Sequence, residues 1–262
     1  MPERYDEQPP PDYANMLRLD GRHVLVIGGG RGIGRQASLA VAAVGANVSV
    51  VDLDETRAGA VARETGGLAI TADASSMDSL RAAFESATAR FGPVQGAIDI
   101  IGIAQWAPIA EIDEENFNRT MDLNLGHAFR TLRLMTEFGS DAGSSVVFVS
   151  SISGFRSAPM HATYGAAKAG LNNLVGSAAV ELGPTIRVNA VAPGQTRTPR
   201  MVARHADDAY YWEAAKQVPL GRVGETWDIA SALLYFVSDL SQWVTGQVLV
   251  VDGGAGRRYQ YQ

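Results

Sequence analysis

The stretch HVLVIGGGRGIG at residues 23–34 joins a short apolar run directly to a glycine-rich loop. The run is rich in Val and Ile, which is typical of a strand buried on both faces. The loop, Gly28-Gly29-Gly30-Arg31-Gly32-Ile33-Gly34, leads into a stretch that predicts a helix. Glycines at such a turn let the backbone approach a phosphate and point helix amides at it. The stretch therefore indicates a dinucleotide-binding unit, with a tight turn that binds nothing as the alternative.

The same alternation of apolar runs and amphipathic stretches continues along the chain. Apolar runs that predict strands cover residues 23–28, 47–52, 67–72, 96–102, 144–150, 186–191 and 247–252. Stretches that predict helices cover residues 32–44, 54–64, 76–90, 113–137, 159–182 and 226–238. This order implies right-handed βαβ crossovers, so we expect an α/β fold with a doubly wound parallel sheet of about seven strands. No repeat or composition shift marks a linker, which favours a single domain.

Three segments depart from this alternation. Residues 1–18 are polar and contain three consecutive prolines, so we expect an extended or disordered arm. The stretch 192–225 is too long for an ordinary loop, and its part at about 196–218 predicts a lid over the site. The tail at 257–262 could reach a neighbouring subunit or fray.

Composition restricts the classes of function. Of 262 residues, 46% are hydrophobic, which is enough for a large core, yet no apolar run approaches the roughly 18 residues of a membrane helix. A net charge of −6 without basic clusters argues against a nucleic-acid partner. The absence of cysteine and the scatter of four histidines argue against disulfides, thiolate chemistry and metal sites. We expect a cytoplasmic enzyme or binding protein that acts on a small molecule.

Two charged residues bear on the choice of dinucleotide. Asp52 ends the second predicted strand, where a carboxylate can accept hydrogen bonds from the adenosine ribose and repel a 2′-phosphate. Arg31 argues the other way, because a guanidinium can pair with that phosphate. Asp52 favours NAD, and Arg31 leaves NADP as the alternative. Alternatively, Asp52 is only an acid at the end of a strand, and Arg31 is only a solvated charge in the loop.

A serine, a tyrosine and a lysine carry the predicted chemistry. Tyr164 and Lys168 are four residues apart, so they share one face of the predicted helix. An ammonium near a phenol favours the phenolate and lowers the phenol pKa from its usual value near 10, which suits proton exchange with a hydroxyl. Ser151 follows the fifth predicted strand, where its hydroxyl can hold the reacting oxygen. A Tyr–Lys pair at this spacing is common on helix surfaces, so the pair indicates catalysis only together with the other motifs.

Taken together, the motifs resemble the short-chain dehydrogenase/reductase family over about residues 19–256. The motifs are GGGRGIG (28–34), Asp73, Asn124 in DLNLG, Ser151, YGAAK (164–168), VNAVAPG (188–194) and VTGQVLVVDGG (244–254). The resemblance implies a single Rossmann-type domain at 19–256. It also implies reversible hydride transfer between C4 of a nicotinamide and a carbonyl or secondary-alcohol carbon, with NAD or NADP as the cofactor.

The resemblance also implies individual roles. Tyr164 is the expected acid/base, Lys168 tunes it and reaches the nicotinamide ribose, Ser151 positions the substrate oxygen, and Asn124 holds a water of the proton relay. The implied cofactor-binding residues are Gly28, Gly30, Arg31, Gly32, Ile33, Gly34, Asp52, Asp73, Ala74, Gly102, Tyr164, Lys168, Pro193, Gly194, Thr196 and Thr198. Paired helices and the C-terminal strand imply a homotetramer or homodimer.

Two segments depart from the family pattern. Ile27 stands where the family usually has Thr, and Asp99-Ile100-Ile101-Gly102 stands where it has Asn-Asn-Ala-Gly. We interpret them as a paired change in which an apolar contact replaces a polar one, although the added bulk of Ile101 could cost about 1–3 kcal/mol by overpacking. Asp99 is either a buried acid that needs a partner or a strand-end charge that faces solvent.

Aromatic side chains suggest a small, partly apolar or cyclic substrate, and a small polyol is the alternative. The candidates are Trp106, Phe155, Met160, His161, Tyr210, Tyr211 and Trp212. Lid packing or an oligomer contact would explain each equally well. Two further functions stay open. One is an internal redox cycle on tightly bound NAD, as in epimerisation, and the other is a non-catalytic dinucleotide sensor.

Overall fold

Seven parallel strands form the centre of the protein. A computed structural model describes residues 9–104 and 106–257, and there the strands make one sheet in the order β3-β2-β1-β4-β5-β6-β7. They are β1 (His23–Ile27), β2 (Asn47–Asp52), β3 (Leu68–Thr71), β4 (Gly96–Asp99), β5 (Ser144–Val149), β6 (Ile186–Pro193) and β7 (Val248–Val251). All seven predicted strands are confirmed, and so is the parallel sheet.

Helices cover both faces of this sheet. They are α1 (Gly32–Ala43), α2 (Glu55–Thr65), α3 (Met77–Phe91), α4 (Glu114–Met121), α5 (His127–Phe138), α6 (Ala162–Leu182), α7 (Pro199–Arg204), α8 (Asp208–Ala215) and α9 (Thr226–Val237). Helices α1, α2 and α9 enclose one hydrophobic core, and α3, α5 and α6 enclose the other. The fold is therefore a doubly wound, Rossmann-type single domain. None of the helices in the described ranges is long and apolar enough to cross a membrane.

Local sequence explains where these elements begin. Strands β1 and β5 are buried along their whole length, as their Val-rich sequences predict. The side chains of Asp54, Ser76 and Asp113 accept backbone N–H groups in the first turns of α2, α3 and α4. Each satisfies an amide that would otherwise lack a partner, so the helices start within a few residues of the predicted positions.

The structure corrects the expectation for the helix at 113–137 and adds detail to three other segments. The single helix predicted at 113–137 is two helices separated by a π-helical turn at Asp122–Gly126. The predicted N-terminal arm includes a short 3-10 turn at Asn15–Leu17, and residues 1–8 lie outside the described ranges. The segment predicted as a lid contains the two short helices α7 and α8. The tail predicted at 257–262 lies outside the described residues except for Arg257.

The order of the strands determines where a ligand can bind. The chain moves outward from β1 through β2 to β3, and then crosses back to β4 on the other side of β1. Ile27 of β1 pairs with Asp99 of β4 at the carboxyl ends of these neighbouring strands. Loops that leave adjacent strands in opposite directions open a crevice at this point.

Candidate active site

A cavity of about 740 Å³ lies at this crevice. Ile27, Ile100, Val149 and Pro193, at or just after the ends of β1, β4, β5 and β6, contribute to its wall. Side chains of the predicted lid complete it on the opposite side. Its volume is typical of a cofactor or substrate site.

The glycine loop forms the floor of the cavity next to β1. The amides of Gly28 and Gly29 both donate to the carbonyl of Val51, at 2.8 and 2.9 Å. A side chain at Gly34 would overlap the carbonyl of Gly28, so the first turn of α1 packs directly on the loop. Among the described residues, no side chain caps this helix N-terminus. Its free amides fit a pyrophosphate group, as the sequence predicts.

Asp52 links the glycine loop to the end of β2. One carboxylate oxygen accepts the amide of Gly30 at 2.9 Å, and the other accepts the amide of Asp54 at 3.0 Å. Asp52 and Arg31 both line the cavity, so both can reach a bound dinucleotide. The carboxylate therefore fastens the loop and also presents negative charge where an adenosine ribose would bind.

Further predicted cofactor residues lie around the same cavity. Those that line it are Gly28, Arg31, Gly32, Ile33, Asp52, Asp73, Ala74, Gly102, Tyr164, Lys168, Pro193, Gly194, Thr196 and Thr198. Gly30 and Gly34 do not form the wall, and a side chain at Gly30 would overlap the carboxylate of Asp52. Hydrogen bonds from the hydroxyl and amide of Ser75 hold the pKa of Asp73 below its usual range, so this acid is ionised beside the cavity.

Ser151, Tyr164 and Lys168 come together at the other end of the cavity. The ammonium of Lys168 is buried, donates to the carbonyl of Val149 at 2.9 Å, and lies 5.9 Å from the centre of the Tyr164 ring. Burial lowers the pKa of Lys168 to about 8, while the charge of Asp99 acts in the opposite direction. The three side chains are therefore arranged as the sequence predicts, since α6 places Tyr164 one turn before Lys168.

The pKa of Tyr164 is not lowered as the sequence suggests. Burial raises it above its ordinary value, and a hydrogen bond with Ser151 and the positive charge of Arg200 oppose this effect only in part. The sequence-based prediction rested on the positive charge of Lys168. Desolvation of a buried phenol has the larger effect, and it raises the pKa. Arg200 was not identified from the sequence.

Asn124 lies in the π-helical turn and is fully buried. Its amide nitrogen donates to the carbonyls of Thr120 and Ile103, both at 2.9 Å, and its oxygen accepts the amide of Ile103 at 3.0 Å. The side chain thus ties α4 to the loop after β4, and it does not line the cavity.

Asp99 is a buried acid with partners, which decides between the two interpretations of this residue. Its carboxylate accepts Nδ1–H of His127 at 2.9 Å, the hydroxyl of Thr131 at 2.7 Å and the amide of Ile101 at 3.1 Å. Burial opposes ionisation, but these partners outweigh it and leave the pKa of Asp99 below its usual range. His127 was missed because its contact with Asp99 depends on how α5 packs against β4.

The apolar departures from the family pattern pack together. Ile27 is fully buried, and Ile101 packs against the same hydrophobic core. The terminal carbon of Ile101 lies 3.1 Å from the point where a side chain at Gly28 would begin. The isoleucine therefore fills the space between the end of β4 and the glycine loop, and the paired change stays a prediction.

The substrate candidates separate into two groups. Trp106, His161 and Tyr210 line the cavity, and the guanidinium of Arg204 lies 3.6 Å from the centre of a Trp106 ring. The other candidates, Phe155, Met160, Tyr211 and Trp212, are absent from its wall. Phe155 and Met160 are exposed in the segment between β5 and α6, and Trp212 is exposed on α8. Tyr211 is buried under the guanidinium of Arg197.

Fold and site together define a dinucleotide-binding α/β protein with a Ser–Tyr–Lys cluster. The chain belongs to the short-chain dehydrogenase/reductase family, and a family model described as enoyl-(acyl carrier protein) reductase matches residues 28–256. It is an oxidoreductase that acts on CH–OH or keto groups with a nicotinamide dinucleotide.

Named relatives show the range of this similarity. The chain is 34% identical over 248 residues to 2,5-dichloro-2,5-cyclohexadiene-1,4-diol dehydrogenase of Sphingobium indicum, covering 91% of this chain and 98% of the relative. It is 38% identical over 253 residues to L-rhamnose 1-dehydrogenase (NAD(P)(+)) of Azotobacter vinelandii, covering 91% and 98%. A crystal structure of a short-chain type dehydrogenase/reductase from Mycobacterium marinum superposes with a TM-score of 0.85 at 30% identity, covering 92% and 98%.

Proposed function

We propose that this enzyme uses NAD to interconvert a secondary alcohol and a ketone on a small, partly apolar cyclic substrate, with Tyr164 as acid/base. The observation that carries the proposal is the meeting of Ser151, Tyr164 and Lys168 in one cavity with an uncapped helix N-terminus. The dinucleotide would supply the hydride acceptor or donor. The protein's part is orientation and proton transfer.

The side chains suggest a division of this work. Ser151 can hold the substrate oxygen, because its hydroxyl already contacts the phenol of Tyr164. Tyr164 can then exchange a proton with that oxygen at hydrogen-bond distance. Lys168, fixed by the carbonyl of Val149, presents its ammonium beside the phenol and the expected position of the nicotinamide ribose.

NAD is favoured over NADP by the position of Asp52. Its charge would repel a 2′-phosphate at the end of β2, and the hydrogen bonds from Gly30 and Asp54 hold it in place. Arg31 is the residue through which NADP would be accommodated if the preference were weaker.

A cyclic substrate is supported by the wall and by the relatives. Trp106 and His161 have ring centres 5.3 Å apart, and the ring centre of His161 lies 6.3 Å from that of Tyr164. Flat aromatic rings next to the proposed acid/base suit a ring better than an open chain. The two named relatives are dehydrogenases of a cyclohexadiene diol and of rhamnose.

Replacing Tyr164 by Phe tests the acid/base role. We expect kcat for a cyclic secondary alcohol with NAD to fall by about 10²–10⁴-fold, because general acid–base catalysis contributes that much. NAD binding, measured by protein fluorescence, should weaken far less than kcat falls, because the phenyl ring stays in the cavity. The control is Tyr235→Phe on α9, where the same hydroxyl is lost away from the cavity. Equal turnover by Tyr164→Phe and wild type would contradict the proposal.

One measurement distinguishes a dehydrogenase from the two alternative functions, an internal redox cycle and a non-catalytic sensor. A dehydrogenase forms free NADH when it is mixed with excess NAD and an alcohol, and the absorbance of NADH rises over many turnovers. An enzyme with an internal cycle, or a sensor, would form at most one equivalent.

We also propose a cytoplasmic homotetramer or homodimer. Support comes from apolar side chains exposed around the edge strand β7 and helix α9, namely Trp227, Trp243, Leu249 and Val250. Exposed apolar groups that lie near each other are typical of subunit interfaces. Light scattering on the purified protein tests this, and a monomer at micromolar concentration would contradict it.

A further inference from the structure

Arg200 reaches from the lid across the mouth of the cavity. The residue lies in the first turn of α7, and its Nη1 donates to the carbonyl of Gly102 at 3.2 Å. It is accessible to solvent and also lines the cavity. Its charge is therefore available to a molecule that enters.

Gly102 identifies the part of the cavity that Arg200 faces. A side chain at Gly102 would begin 2.9 Å from the ammonium of Lys168 and 3.0 Å from the amide oxygen of Asn124. Gly102 thus separates the buried Lys168 from the accessible Arg200. The electrostatic effect of Arg200 on Tyr164 agrees with this placement at the catalytic end.

The charges around Arg200 do not include a compensating acid. In the described ranges no carboxylate oxygen lies within 4.0 Å of its guanidinium, whereas Arg197 in the same lid pairs with Asp208 at 3.0 Å. The groups that act on it electrostatically are Arg31 and Tyr164, and Arg31 is a like charge. The catalytic end of the cavity is therefore positive and open to an anion.

We propose that Arg200 binds a carboxylate on the substrate, so that the enzyme acts on hydroxy or keto acids whose acid group sits near the reacting carbon. The inference rests on the proposed function and gives its substrate class. A planar guanidinium suits a carboxylate, because two N–H groups can donate to its two oxygens. The pyrophosphate of the dinucleotide has other partners, namely the amides at the start of α1.

Binding rather than turnover gives the direct test. Calorimetry would compare cyclohexanecarboxylate with cyclohexanecarboxamide, each added to the enzyme saturated with NAD. We expect wild type to prefer the carboxylate by about tenfold or more, the contribution of one hydrogen bond to a charged group. Arg200→Met should remove this preference and Arg200→Lys should keep part of it. The matched control Arg197→Met, which neutralises a lid arginine that already has a partner, should behave as wild type.

Two results would overturn the inference. One is a wild-type enzyme that binds both probes equally or binds neither. The other is a carboxylate preference that survives in Arg200→Met. Titrations with NAD and with ADP-ribose identify the competing role: if Arg200→Met weakens both and wild type shows no carboxylate preference, Arg200 binds the pyrophosphate instead. If wild type shows no carboxylate preference but turns over neutral cyclic alcohols, the inference about the acid group is wrong and the proposed function is still supported.

Discussion

The buried pair of Asp99 and His127 allows a quantitative prediction. Both side chains are almost completely excluded from solvent, and removal of one member of such a pair usually costs about 3–5 kcal/mol. His127→Ser leaves Asp99 with the hydroxyl of Thr131 and the amide of Ile101, so we expect the lower end, about 3 kcal/mol. Asp99→Asn keeps the shape and removes the charge, and we expect about 1–2 kcal/mol.

The double variant distinguishes coupling from two separate losses. Asp99→Asn with His127→Ser should be less destabilised than the sum of the single variants by about 1–3 kcal/mol, since no unpaired charge remains. Urea unfolding followed by circular dichroism measures each free energy, provided that the denaturant slope stays constant. A matched cycle on the exposed pair Arg81 and Glu137 should give less than about 1 kcal/mol. Additivity within about 0.5 kcal/mol at Asp99 and His127 would refute the reasoning.

The same pair determines a dependence on pH. Because the pKa of Asp99 in the folded state lies below its unfolded value of about 3.9, its contribution is complete above roughly pH 5. The contribution is lost as the pH falls through the folded pKa. Asp99→Asn has no such carboxylate to protonate. Its free energy of unfolding should therefore fall less between roughly pH 5 and pH 3 than that of wild type.

Three further changes test other parts of the site. Lys168→Met should abolish turnover yet stabilise the fold at pH 7 by about 2 kcal/mol. Burial that lowers the ammonium pKa from 10.5 to about 8 costs roughly 3 kcal/mol, and the hydrogen bond of the ammonium returns about 1 kcal/mol. Thermal unfolding should show that this gain in stability shrinks as the pH rises from 8 to 10. Asp52→Asn keeps an acceptor for the Gly30 amide and removes the charge, so the ratio of NADP to NAD affinity should rise about tenfold or more in fluorescence titrations, and an unchanged ratio would count against the cofactor assignment. Ile101→Ala should destabilise the protein by about 1–3 kcal/mol and weaken NAD binding, because it removes the packing between β4 and the glycine loop, and a stable, fully binding variant would contradict the paired change.

The fold could be predicted because each strand carries its own signal. Runs such as 144–150, whose centre Val146–Val149 is apolar, are typical of a strand covered by helices on both faces, and β5 is buried along its whole length. The break in the helix predicted at 113–137 could not be predicted in the same way. A π-helical turn adds one residue to a turn without changing the apolar pattern enough to be seen, and the bonds of Asn124 that accompany it reach the loop at Ile103.

The candidate site was predictable only where a motif fixes local geometry. The glycine loop and the Tyr164–Lys168 spacing lie within single elements, so their sequence is sufficient. Asp99 ends strand β4 and its partner His127 is 28 residues away on helix α5, and Arg200 contacts Gly102 across 98 residues. Such contacts depend on how helices pack and how a lid lies over the sheet. The exposure of Trp212 and Phe155 has the same origin, since position near a strand end does not determine direction.

Asp99 shows how a departure from the family pattern can affect the electrostatics of the candidate site without lining the cavity. Burial alone would lower the pKa of Lys168 further than about 8, and the negative charge of Asp99 limits that fall. An asparagine at this position could make hydrogen bonds but would supply no charge. His127 and Thr131 in turn keep Asp99 ionised, since a buried carboxylate without such partners would take up a proton. The pair of Asp99 and His127, which lies at the end of β4, therefore helps to keep the pKa of Lys168 from falling further.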